Sequence, residues 1–170
     1  MQRRRLLKVG LASGALLTLA SGVAWWVASE PGTERGRFLP ATRSFFLAIG
    51  SAVLAGVLPE TQSAREPALL AWLDRLESTV AGMPAAVQRE LDEMVTILLT
   101  APGRFALAGL RSSWEAATPA QMHDALEGLR FSTWSVREQI FHALRDLSNA
   151  AYFAAPESWA VLGYPGPLKV

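Results

Sequence analysis

The sequence predicts an all-α protein: a small helical bundle of five or six helices with an irregular C-terminal tail, preceded by an N-terminal apolar segment. Three observations carry this. From about residue 42 apolar side chains recur at spacings of three and four, and no run alternates with the period of two that marks a half-buried strand. Glycine and proline break that periodicity into stretches joined by short turns, as in bundles of neighbouring helices. The length of 170 residues, with 51% apolar, is enough for one domain with a core that needs no cross-links.

Residues 1–29 stand apart from the rest. Arg3, Arg4, Arg5 and Lys8 precede any acid, and the remaining chain holds 12 basic against 15 acidic residues, so the basic character belongs to the N-terminus alone. The 21 residues from Val9 to Ser29 carry no charge. As a helix they would reach about 30 Å, the thickness of a bilayer core. Basic residues before an apolar run read as an export signal or signal anchor. Gln2-Arg3-Arg4-Arg5-Leu6-Leu7-Lys8 resembles the twin-arginine signal, with Arg3 and Arg4 as the pair, Leu6 and Leu7 as the apolar positions and Lys8 as the trailing base. That signal implies a periplasmic destination and passage in a folded state. Small residues at Ala20-Ser21-Gly22 and Gly22-Val23-Ala24 offer cleavage sites. Trp25-Trp26 instead fits an uncleaved anchor held at the interface of the inner membrane.

Residues 30–41, with Pro31, Gly32 and Gly36, read as a linker, and 42–155 as the bundle. Thr42 or Ser44 is the expected cap of a first helix running to Leu58 and stopped by Pro59. It carries no charge after its start and, at 15 residues, suits a buried central helix better than a membrane span. Gly50 and Gly56 cost it roughly 1 kcal/mol each against alanine, a cost consistent with close helix packing. A second helix is expected from Pro67 to Ala81 with a stripe of Leu69, Leu73, Leu76 and Val80. A third follows from Pro84 to Thr100 with Val87, Leu91, Met94 and Leu98, ended by Pro102-Gly103. A short piece spans Arg104 to Leu110. Thr118-Pro119-Ala120-Gln121 and Ser135-Val136-Arg137-Glu138 are both capping-box patterns, opening helices with Met122, Ala125, Leu126 and Leu129 and with Val136, Ile140, Leu144, Leu147 and Ala151 inward.

The chemistry-bearing residues are few. Without cysteine there are no disulfides, thiolate zinc sites, iron–sulfur clusters or c-type haem attachment. A net charge of +1 gives no footprint for nucleic acid. His123 and His142 belong to no metal-ligand spacing, and Glu90, Asp92 and Glu93 read as a wetted helix face. No nucleophile elbow, phosphate loop or dinucleotide fingerprint is present. The expectation is therefore a chain with no catalytic residues, no metal and no cofactor of its own. An alternative is a membrane-anchored helical module with a quinone or lipid pocket between helices.

The tail, 156–170, is the exception to this plainness. Trp159 and Tyr164 supply large interface-forming rings, and Pro156, Pro165 and Pro167 restrict the chain before it docks. A glycine at 166 suits a turn with positive φ. The stretch from Tyr152 through Trp159 to Gly163-Tyr164-Pro165-Gly166-Pro167 resembles the C-terminus of the small subunit of membrane-associated flavin dehydrogenases, the gluconate 2-dehydrogenase subunit 3 family. Members show an aromatic residue and proline, then a tryptophan, then Gly-aromatic-Pro-Gly near the end. They also begin with a twin-arginine signal and have a small helical body. Between Tyr152 and Trp159 this sequence is shorter than the family pattern. The resemblance implies an accessory subunit that binds a large FAD-dependent dehydrogenase of the glucose–methanol–choline type, lacking its own export signal. FAD would belong to that partner, and electrons would pass to a cytochrome c subunit or to quinone. Tyr152, Trp159, Gly163, Tyr164, Pro165, Gly166 and Pro167 would then form the partner-binding segment.

Overall fold

The computed structural model describes residues 33–34 and 37–166; the twin-arginine positions Arg3, Arg4, Leu6, Leu7 and Lys8, the apolar segment after them and Pro167 lie outside the described residues. Those described are mostly helical, as an all-α chain requires. Two short strands, β1 (Thr33–Glu34) and β2 (Arg37–Phe38), pair antiparallel with Thr33 opposite Phe38. Among the described residues six α-helices follow: α1 (Pro40–Val53), α2 (Gln62–Ala81), α3 (Ala85–Leu99), α4 (Ala101–Ala108), α5 (Pro119–Arg130) and α6 (Ser135–Phe153). The 3-10 helix Pro156–Leu162 closes the series. The tail thus begins as a 3-10 helix where the sequence reads as irregular. Among the described residues no helix is long and apolar enough to cross a membrane.

α1 is the central helix, packed against α2, α3, α5 and α6. Phe45, Phe46 and Ile49 are wholly buried, and each such side chain contributes about 1.5–3 kcal/mol relative to exposure. α1 begins two residues before Thr42: Leu39 is the extended N-cap, Pro40 takes the first turn, and Thr42 is buried inside. The helix ends at Val53, short of the expected Leu58, so of the two glycines only Gly50 lies in it; there a close approach is permitted, because a Cβ would overlap the Trp72 ring. A Cβ on Gly56, in the turn after α1, would meet nothing.

α2 starts five residues before Pro67, because the Arg65 N–H already closes a turn onto the Thr61 carbonyl at 2.9 Å. Pro67 removes only one donor there. Leu73, Leu76 and Val80 are buried as the stripe predicts, joined by Trp72 and by Glu77. The Gln88 amide on α3 donates to the carbonyls of Ala81 and Met83 at 3.2 and 2.7 Å, partnering the last carbonyl of α2 and the turn after it.

The inner face of α3 is Leu91, Val95 and Leu98; Val87 is exposed. Pro102 and Gly103 do not end α3. They lie in the first turn of α4, where the Thr100 hydroxyl accepts from the Gly103 N–H at 3.1 Å. Thr118 and Gln121 form the capping box of α5, with bonds of 2.9 and 3.3 Å. The second box does not form. Trp134 is the N-cap of α6, Ser135 is already helical, and Ser132 accepts the Trp134 N–H at 3.1 Å.

Candidate functional site

An α-helix leaves its last four carbonyls without partners from its own turn, and burial makes that costly. At the end of α6 all four are satisfied, each differently. Ala150 accepts from the Ala154 N–H at 3.1 Å and Tyr152 from the Ala155 N–H at 3.3 Å, as the chain tightens out of the helix. Ala151 accepts from Arg75 Nε on α2 at 3.1 Å. Phe153 accepts from the Trp159 indole N–H at 2.8 Å. One turn earlier, the Trp72 indole donates to the Ser148 carbonyl at 3.0 Å. The last turn of α6 has no basic residue of its own, and Arg75 brings the cation that the negative end of the helix dipole favours.

From this root the tail folds back as a hook. Buried Ser158 donates its hydroxyl to the Ala155 carbonyl at 2.7 Å. Gly163, at φ 66°, ends the 3-10 helix in the left-handed region, as side-chain-free residues do most readily. The Tyr164 N–H then returns to the Trp159 carbonyl at 3.1 Å, and the two rings meet edge-on with centroids 5.4 Å apart. Gly166 has φ 98° and lies against the indole; a Cβ would stand 3.3 Å from Trp159 Cζ3. Trp159 is therefore the post around which the hook closes.

The sequence-read site residues separate into two groups. Trp159, Gly163, Tyr164, Pro165 and Gly166 come together in the hook. Tyr152 does not present itself to a partner: it is buried, and its hydroxyl donates to the Val57 carbonyl at 2.7 Å, fastening α6 to the turn after α1. Burial pushes the Tyr152 phenol above its ordinary value, with the nearby Arg75 charge acting the other way. Two residues the sequence reading passed over are exposed on the hook. Val161 and Leu162 are 55% and 59% exposed beside Tyr164 at 49%. Adjacent apolar residues just after a tryptophan and before a glycine turn are the signal that was available for them.

Elsewhere the groups with chemical potential are dispersed. His123 is exposed, and His142 faces Glu138 at 3.8 Å on the surface of α6. Glu90 and Glu93 are exposed on α3, with Asp92 between them. Among the described residues no cluster of three metal-ligating side chains occurs. A half-open cleft of about 420 Å³ is lined by Leu47, Ser51, Arg65, Glu66, Leu69 and Pro119 among others, and Arg65 there is tied to the Ser51 carbonyl at 3.1 Å. At the α5–α6 turn, Phe131 and Trp134 are exposed, with the Arg130 guanidinium 4.8 Å over the Phe131 ring.

Comparison of the chain with family models, with curated proteins and with solved structures finds no match.

Proposed function

We propose that the chain is a non-catalytic accessory subunit that binds a large FAD-dependent dehydrogenase of the glucose–methanol–choline type. It escorts that partner through the twin-arginine route and keeps it at the periplasmic face of the inner membrane. The partner holds the FAD and passes electrons to a cytochrome c subunit or to quinone. The reading is supported by the resemblance of the Arg3-Arg4 signal and of the Trp159 to Gly166 segment. One structural observation carries it furthest: an internally braced hook leaves Val161, Leu162 and Tyr164 exposed. A braced apolar surface loses little conformational entropy on docking, which is the property an interface needs. Its aromatic member is of the kind that dominates binding energy.

The test is affinity purification of the full chain from membranes, followed by flavin absorbance of the co-purified material. Wild-type chain brings down flavin. Val161→Asp with Leu162→Asp, which places charge on the apolar surface without touching the hook's internal bonds, reduces it at least about tenfold, as loss of a hot spot does. Replacing Arg3 and Arg4 by lysine leaves the partner in the cytoplasm. A colourless, monomeric wild-type chain in cells that make the dehydrogenase defeats the proposal.

A further inference from the structure

We infer that Arg75 is the positioning residue that fixes the C-terminal hook on the bundle, and so sets the surface offered to a partner; the second half of this rests on the function proposed above. The hook packs on α6. Its own bonds are local: Trp159 to Phe153, Ser158 to Ala155 and Tyr164 to Trp159. These bonds shape the hook but do not orient it relative to the remaining helices. Among the described residues, the hydrogen bonds and ion pairs shown to reach the segment 151–166 from another helix come from one side chain. Arg75 Nε donates to the Ala151 carbonyl at 3.1 Å, and Nη1 stands 3.7 Å from the Glu157 carboxylate.

The guanidinium suits this task. It is planar, permanently charged and carries donors on more than one edge, so it can hold two segments at a fixed separation. One contact fixes the last turn of α6 and the other the first turn of the 3-10 helix. The Arg75 side chain is partly covered and Glu157 largely solvated, so the carbonyl contact is the stronger and the ion pair the guide. The neighbouring Tyr152 bond to Val57 anchors the same turn but does not reach past it. Without Arg75, the Ala151 carbonyl loses the side-chain donor shown for it, and the hook is freed to pivot about residues 154 and 155.

The experiment uses the full chain in its membrane-derived complex, with four variants: Arg75→Ala, Arg75→Lys, Glu157→Gln and, as a control on the same helix, Arg65→Ala. Two readouts are taken. One is amide hydrogen exchange over residues 156–166 compared with the core of α1 and α3, and the other is co-purified flavin. Arg75→Ala is expected to speed exchange in the tail about tenfold or more, with core protection retained, as loss of a charged hydrogen bond at a helix end does. It is expected to lower flavin in parallel. Lysine can reach one partner but not both, so Arg75→Lys restores only part of the protection. Glu157→Gln changes tail exchange by less than about threefold, and Arg65→Ala leaves it unchanged.

If tail exchange in Arg75→Ala equals wild type, Arg75 does not position the hook, whatever the flavin shows. If exchange rises across the core and tail alike, Arg75 is an ordinary stability residue and the inference also falls; Glu157→Gln then checks the tail contact without disturbing α2. If tail exchange rises while flavin is retained, Arg75 positions the hook but the hook is not the partner surface, and it is the functional reading that fails.

Discussion

The Tyr152 hydroxyl and the Val57 carbonyl meet at 2.7 Å across 95 residues of sequence, where the loss of either group strands the other. Tyr152→Phe keeps the ring and removes the bond, at a cost of about 1 kcal/mol near neutral pH. Burial holds the folded-state pKa of Tyr152 above the ordinary 10.0. Folding therefore favours the protonated phenol. Its contribution is fully present below about pH 10, the unfolded value, and is lost as pH rises through the raised folded value. Wild type should melt above Tyr152→Phe at pH 7, and the gap should close between about pH 10 and the higher folded value. Melting temperatures of the two proteins from pH 7 to 11 check this; a gap independent of pH would show that folding does not raise the pKa of the phenol. At this same scale the residues that the sequence left hidden are polar ones with distant partners. Glu77 lies off the Leu73–Leu76–Val80 stripe of its helix, yet it is buried, where Arg43 and the Phe38 N–H meet it. That pairing also raises the Arg43 guanidinium pKa.

Helices were legible as elements because their period is local, and the apolar stripes of α5 and α6 face inward as read. In α3 Leu91 and Leu98 are buried as read and Met94 packs against the core, but apolar residues occupy two of its sides, and only packing against α1 and α4 selects Val95 over Val87. Element ends divide the same way. Thr118-x-x-Gln121 and Ser135-x-x-Glu138 are one pattern in sequence, but only the first has its serine or threonine at the cap. In the second, the turn with exposed Trp134 starts the helix one residue early and the Ser135 hydroxyl cannot reach back. Thr118→Ala should thus cost about 1 kcal/mol. Ser135→Ala should stay within about 0.5 kcal/mol, as a surface change away from such features does. Denaturant titrations of the two variants decide it, and equal losses would contradict the cap assignment. The hook was legible in its turn glycines and its tryptophan, because backbone geometry restricts those residue types. Arg75 was not, because its partners lie 76 and 82 positions away in the chain.

Taken whole, the bundle begins earlier than the change in composition at residue 42 suggests. Phe38 is buried, its ring stacks on Phe46 at 4.9 Å, and its N–H donates to Glu77 Oε1 at 3.1 Å. Glu77 Oε2 also receives Arg43 at 2.7 Å, and Asp74 holds the same guanidinium at 3.1 Å. Asp74, Arg75 and Glu77 therefore place the first core residue and the C-terminal hook on one turn of α2. This arrangement makes Phe38 a structural residue of the bundle although the surrounding sequence reads as linker. Phe38→Ala removes a ring that is part of one contiguous core cluster running from α1 through α6. It should lower stability by about 3 kcal/mol, the lower end for a buried phenylalanine, because the site lies at the edge of the core and can partly collapse. The loss should register in a single cooperative transition, with tryptophan emission and helical signal moving together, since α2 links the first residues to the last. Urea unfolding by both probes measures it. A change under about 0.5 kcal/mol would return residue 38 to the linker, and two separated transitions would show that the two ends are not carried by the same helix.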